Sequence, residues 1–241
     1  IIVVYAGFLI ATLPAKFALS YVQLPRNVQL QSVSGTVWQG HINRVIVDNI
    51  SLRDVNWQTQ LMALFSGDAE VAVQFGRGKN SLRGDGIFGY NSDGAFARDL
   101  VLRTTPTWLT NAADLVLPAT VKGDVKLQIT KASQGLPWCQ ELDGQLSWDK
   151  ASVDSLLGLV EVDSAKAALS CDKGQLVADI KQNSSHLRLS GKATLGEQRR
   201  YNVVGSIVPG NALPKAIRSN LGYVGKVNSK GEYKLNYSGR L

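Results

Sequence analysis

From residue 27 onward the chain alternates apolar with polar residues, and this pattern narrows its folding options more than any other feature. Val121, Gly123, Val125, Leu127 and Ile129 alternate with Lys122, Asp124, Lys126, Gln128 and Thr130. Leu142, Gly144, Leu146 and Trp148 do the same, as do Leu187, Leu189, Gly191, Ala193 and Leu195, and again Tyr233, Leu235 and Tyr237. A strand turns successive side chains to opposite faces, so each segment reads as an antiparallel strand with one apolar and one solvated face. Weaker alternation covers 69–75, 95–103, 175–181 and 201–208. Clusters of turn-forming residues separate these segments at 76–80, 91–94, 172–174 and 229–231.

The pattern is also duplicated. The segment from Lys122 to Thr130 is answered 108 positions on by the segment from Lys230 to Ser238 (230 − 122). Gly35 in Ser34-Gly35-Thr36-Val37-Trp38 is answered 109 on by Gly144 in Leu142-Asp143-Gly144-Gln145-Leu146-Ser147-Trp148. Leu82-Arg83-Gly84 is answered 107 on by Leu189-Ser190-Gly191. Such spacing predicts two tandem β units, over 21–130 and 131–241, after an N-terminal stretch over 1–20.

Helical signal is scarce. Residues 106–113 form a short helix candidate with Thr105 as cap and Pro106 in its first turn, and 213–221 form another, 108 residues away by their prolines (214 − 106). Residues 152–158 suggest a third short turn of helix, and 60–65 hold the equivalent place in the first unit. Helices this few and short cannot cover about ten strands, so the apolar face must curl, fold on itself, or stay open. The expected fold is mainly β: a curved antiparallel sheet, as an open groove or partial barrel, preceded by an N-terminal transmembrane helix.

That helix is read from residues 1–13, which include Ile1, Ile2, Val3, Val4, Phe8, Leu9 and Ile10 and carry no charge; the first charge is Lys16. Thirteen helical residues reach about 20 Å against a hydrocarbon core of about 30 Å. With no initiating Met, the segment reads as the end of a longer membrane anchor. The competing readings are the apolar region of a signal peptide and a buried core helix. A net charge of +7 is spread along the chain, with Arg199-Arg200 its longest basic run. A dense basic stripe with interleaved aromatics is missing, so nucleic acid is not an expected partner, whereas anionic lipid is compatible. Cys139 and Cys171 are the two cysteines. An even pair behind an export or anchor segment suggests a disulfide in an oxidising compartment; the alternative is two buried thiols.

The inventory of reactive groups is poor. His41 and His186 have no neighbouring Ser or Cys motif, and no nucleophile elbow occurs. Residues 76–80 resemble a phosphate loop faintly but lack its spacing, and Asn80 stands where Ser or Thr should bind Mg²⁺. No cofactor, metal or enzymatic activity is expected. The five tryptophans are Trp38, Trp57, Trp108, Trp138 and Trp148. Trp38 and Trp148 hold equivalent repeat positions, so packing is their default role.

Leu13-Pro14-Ala15-Lys16, then Leu24-Pro25-Arg26 running on to Ser34-Gly35-Thr36-Val37-Trp38-Gln39-Gly40, resembles the opening of the type II secretion system protein N family. Ser34, Gly35, Thr36, Trp38 and Gly40 carry its signature. Pro137-Trp138-Cys139, the strand ending at Trp148, and Cys171 extend the likeness along the chain. The resemblance implies a single-pass inner-membrane protein with its body in the periplasm. It also implies an accessory role in exporting folded proteins across the outer membrane, beside the C, L and M components. The β body is similar in character to lipid-handling proteins of the AsmA type. Two functions follow as expectations. One is scaffolding or assembly within the secretion machine. The other is binding or transfer of membrane lipid in a trough lined by Val125, Leu127, Leu187, Leu189 and Tyr233.

Overall fold

The structure, a computed structural model, describes residues 2–21, 25, 27–48 and 50–240. Ile1, the first residue of the expected anchor, lies outside the described residues, as do Leu24, Arg26 and Asn49.

Fourteen strands build one antiparallel sheet: β1 (Val28–Gly35), β2 (Gln39–Val47), β3 (Ile50–Thr59), β4 (Ala69–Phe75), β5 (Arg83–Asn91), β6 (Gly94–Thr104), β7 (Ala119–Gln134), β8 (Cys139–Ser155), β9 (Gly158–Asp172), β10 (Gln175–Asn183), β11 (Leu187–Leu195), β12 (Arg200–Pro209), β13 (Lys226–Val227) and β14 (Tyr233–Arg240). They lie side by side in chain order, except that β14 sits between β12 and β13. β1 ends the row on one side and β13 on the other, so the sheet is open. Residues 130 and 131, where the sequence suggests a junction of two units, both fall inside β7.

The meander fixes two rims. The connections at 36–38, 60–68, 92–93, 135–138, 173–174 and 196–199 share one rim, here called proximal. Those at 76–82, 105–118, 156–157, 184–186 and 210–225 share the opposite, distal rim.

Simple alternation does not run unbroken through these strands. Apolar positions step by three at Leu30–Val33, Leu52–Val55, Ala97–Leu100, Trp148–Ala151 and Val162–Ala165. Within each step one residue takes the left-handed backbone: Ser32, Asp54, Asp99, Lys150 and Asp163 respectively. Short polar side chains tolerate that region best, which suits the Ser and three Asp here. Each interruption restores the apolar side chains to the same face. At Asp99, Lys150 and Asp163 the pairing register also shifts, and such bulges bend the strand and deepen its twist, which curls a wide open sheet. Strands β2, β3 and β9 escape a period-two reading; Asp54 and Asp163 break the phase inside β3 and β9.

The helices are α1 (Ile2–Ala11), α2 (Ala15–Ser20), α3 (Pro106–Ala112) and α4 (Lys215–Asn220). Thr105 caps α3 as expected, its hydroxyl accepting from the Trp108 amide at 3.3 Å. Leu61–Ser66 forms a 3₁₀ turn. The turn of helix expected at 152–158 is absent. β8 continues to Ser155, Leu156 and Leu157 make the turn, and Ser155 pairs with Gly158. Ala151, Val153 and Val160 keep the apolar face here, and packing beneath the α4 segment outweighs a weak helical tendency. α1 spans ten residues, about 15 Å at 1.5 Å per residue. Among the described residues no helix is long and apolar enough to cross a membrane, so the expected transmembrane span is not seen within them.

The compact core is small. Ala151, Val160 and Val162 pack with Leu213 and Leu221, which flank α4, and Trp148, Ala165, Leu187, Ile217 and Tyr233 border them. At the proximal rim a disulfide joins Cys139, at the start of β8, to Cys171 near the end of β9. Pairing of these strands stops at Asp143 and Ser170, so the bond holds β8 where its ladder has ended. The indole of Trp138 extends the clamp, donating to the Gly196 carbonyl at 2.6 Å, and its amide donates to the Gly174 carbonyl at 3.1 Å. Replacing both cysteines with alanine is expected to lower the unfolding free energy by about 3 kcal/mol from loop entropy alone. The urea midpoint of the oxidised protein and that of the double variant measure the difference.

Candidate functional site

Strand register brings the expected trough residues onto one face. Thr104, Val125, Trp148, Ala165, Gln182, Leu189, Ile207 and Tyr233 form a single row across eight strands. Leu102, Leu127, Leu146, Ala167, Ile180, Gly191, Gly205 and Leu235 form the next. Leu187, opposite Pro209, completes the same face toward the distal rim. Small residues at Ala165, Ala167, Ala178, Gly191, Ala193 and Gly205 lower its floor in β9–β12.

That face is only partly covered. Val125, Leu127, Leu187, Leu189 and Tyr233 are all half-buried. Leu187 and Tyr233 lie against the cluster under α4, whereas Phe88 and Leu146 keep 40% and 39% exposure. Toward the proximal rim a recess of about 370 Å³ is lined by Phe88, Ala97, Ala132, Trp138, Leu142 and Leu176. Thr104 Oγ1 and Gln182 Oε1, both in the first row, are buried with no hydrogen-bond partner among the described residues. Sequence reasoning did not single out these two groups. An isolated Thr or Gln at an apolar position was the available signal.

The Ser34–Gly40 signature forms the joint between the N-terminal helices and the sheet. Gly35 takes φ +95, and the Thr36 hydroxyl accepts from the amides of Trp38 and Gln39, both at 3.3 Å, closing the β1–β2 turn. Ser34 Oγ donates to the His41 carbonyl at 3.2 Å. Gly40 lies directly beneath the Trp57 ring; a Cβ there would fall 2.3 Å from ring carbons, so only glycine admits this approach. The Trp38 indole donates to the Ile10 carbonyl at 2.8 Å, and the Val37 amide donates to the Leu13 carbonyl at 3.0 Å. On its other side the Trp38 carbonyl accepts from the Thr59 amide at 2.7 Å. Trp38 therefore couples the end of α1 to the end of β3.

On the opposite face, Arg98 reaches across β5 to Glu70, with Nε–Oε1 at 3.1 Å and Nη2–Oε2 at 2.6 Å. Glu70 is buried, and its hydrogen bond raises the Arg98 guanidinium above its ordinary value. This paired carboxylate braces β4 to β6; at 28 residues' separation it had no local sequence signal. Asp149 is held below the usual carboxylate range, first by the Ser164 hydroxyl and then by Ser147, with burial opposing. His41 meets Asn56 at 3.0 Å, and His186 meets the hydroxyl of its chain neighbour Ser185 at 3.3 Å, an exposed local contact. Among the described residues no group of three or more His, Cys, Asp or Glu could hold a metal.

An open, wide antiparallel sheet with a half-buried apolar face, jointed to a short uncharged N-terminal helix, defines the architecture. The family model for type II secretion system (T2SS), protein N matches residues 26–236. Type II secretion system protein N of Aeromonas hydrophila is 34% identical over 100% of this chain and 96% of its own length. The Vibrio cholerae protein of the same name is 28% identical, covering 95% and 91%, and that of Pectobacterium carotovorum 30%, covering 100% and 95%. The chain belongs to the type II secretion system protein N family. No solved structure matches it.

Trp38→Phe keeps the ring but removes the indole donor, costing about 1 kcal/mol at the joint. Limited proteolysis is expected to cut the 12–27 segment faster in the variant while the sheet's urea midpoint moves little. Equal cleavage would place the strength of the joint elsewhere.

Proposed function

We propose that this protein serves the type II secretion machinery as an inner-membrane accessory, with α1 completing its anchor and the sheet standing in the periplasm as an assembly platform. The observation that carries this reading is the joint at Trp38. The family signature is spent on fixing an uncharged helix to the sheet, as an anchored platform requires. The disulfide at Cys139 and Cys171 fits an oxidising periplasm. The platform acts without catalysis, and it meets other inner-membrane components, with the C, L and M proteins as the first candidates. Site-specific crosslinking from surface positions of the sheet, in native membranes with the machine assembled, is expected to capture these proteins. Their absence from every adduct would remove the platform role.

A second reading has its own support. The half-buried rows over β6–β12 form a trough suited to an acyl chain. Covering about 300 Å² of apolar surface stabilises by about 7 kcal/mol, enough to exceed the lower estimates of association cost. Of two units over 21–130 and 131–241, the second would then supply most of this trough and the first β6 and most of β7. Mass spectrometry of gently extracted protein is expected to find bound phospholipid, and Leu146→Glu, at the exposed part of the trough, to reduce it at least several-fold. Extraction free of lipid would exclude this role and leave the platform intact.

A further inference from the structure

The 3₁₀ turn at Leu61–Ser66 has no polar face. Its sequence, Leu61-Met62-Ala63-Leu64-Phe65-Ser66, holds no charge, and none of its residues is buried. Phe65 is 87% exposed and Met62 80%, with Leu61 and Leu64 each at 48%. Water-exposed apolar side chains this dense call for an occupant. The backbone is firmly placed, since the Gln60 amide donates to the Glu70 carbonyl at 2.8 Å and Gly67 ends the turn in the left-handed region.

The position of this turn identifies the occupant. It lies on the proximal rim, the rim from which α1 departs. It begins two residues after Thr59, whose amide bonds the Trp38 carbonyl, while the Trp38 indole bonds Ile10 at the end of α1. One tryptophan thus ties both apolar elements to the same rim. In α2, which follows the Pro14–Thr36 bridge at this rim, Phe17 stacks edge to face with the adjoining Tyr21 at 5.2 Å, the two rings exposed 54% and 75%. Tyr and Trp favour the membrane–water boundary, and Lys16 beside them can meet anionic headgroups.

We infer that Leu61–Phe65 is a second, monotopic membrane contact, inserting into the outer leaflet of the bilayer that holds α1 and standing the sheet on its proximal rim. The inference rests on the reading of α1 as a membrane element. A bilayer fits this patch better than a protein partner, because the uncharged α1, read as a membrane element, is tied through Trp38 to the same rim. Two contacts at one rim do what one helix cannot: they fix the rotation of the sheet about the anchor and present the recess near Trp138 close to the lipid.

The test uses the full chain reconstituted into vesicles of phosphatidylethanolamine and phosphatidylglycerol, with the native disulfide intact. An environment-sensitive nitrobenzoxadiazole label is placed on Phe8→Cys, Phe65→Cys or Leu156→Cys. Leu156 is fully exposed on the distal rim, so it reports the far side of the sheet. Blue-shifted emission quenched by acyl-chain nitroxide is expected at positions 8 and 65, with position 156 unshifted and unquenched. Shift and quenching at 8 but not at 65 would overturn the second contact and leave the anchor standing. No change at 8 or 65 would overturn both. Quenching at 156 as strong as at 65 would overturn the upright orientation.

Discussion

Everything in this molecule depends on covering one apolar face of a sheet that has almost nothing to cover it with. The antiparallel ladder satisfies the backbone across fourteen strands, but a ladder does not dry a face. Burial must come from curvature and from the few segments that fold back. The result is a thin core: Ala151, Val160 and Val162 beneath Leu213 and Leu221, with most other apolar side chains of that face half-buried. Proteins that close this deficit form barrels or sandwiches. This one remains open, and the surface left over is where its function is to be sought.

Two devices hold the curved sheet at its rims. Distally, the segment around α4 lies across β8 and β9. Proximally, the disulfide and Trp138 draw the start of β8 toward β9 and the turn between β11 and β12. Between them the left-handed residues Asp99, Lys150 and Asp163 keep the apolar rows in phase. Large rings compensate for absent side chains: Trp57 lies over Gly40, Phe96 over Gly89 and Tyr201 over Gly239. Such aromatic–glycine pairing pins register where a side chain is missing. The family signature belongs to the same economy, since Gly40 makes room for Trp57 while Trp38 secures the N-terminal helices.

Much of this was legible in one dimension. Alternation located β4, β6, β7, β8, β10, β11, β12 and β14, and turn clusters placed most of their connections. Thr105 and Pro106 announced α3 because a cap is a local matter of hydrogen bonding. The scarcity of helix implied an under-covered face, and the face residues followed from the same alternation. Strands β1, β2, β3, β5 and β9 were harder. β3 and β9 each hold an Asp in left-handed backbone that shifts the apolar phase by one, which a period-two template cannot follow. The Arg98–Glu70 brace and the Trp38–Ile10 joint were out of reach for another reason. Each depends on segments many residues apart lying at the right separation, which no local pattern encodes.

The sequence by itself determined the class of element, the side of each strand that avoids water, and the residues able to form a disulfide. These follow from single-residue chemistry repeated at short range. The tertiary structure decided that the sheet stays open and where it is capped. It also decided which apolar segments stand together at one rim. α1 and Leu61–Phe65 are fifty residues apart (61 − 11), yet Trp38 ties both to one rim, its indole bonding Ile10 and its carbonyl bonding Thr59. Their shared rim arises from register, a sum over many weak backbone bonds that is settled only when the whole ladder forms.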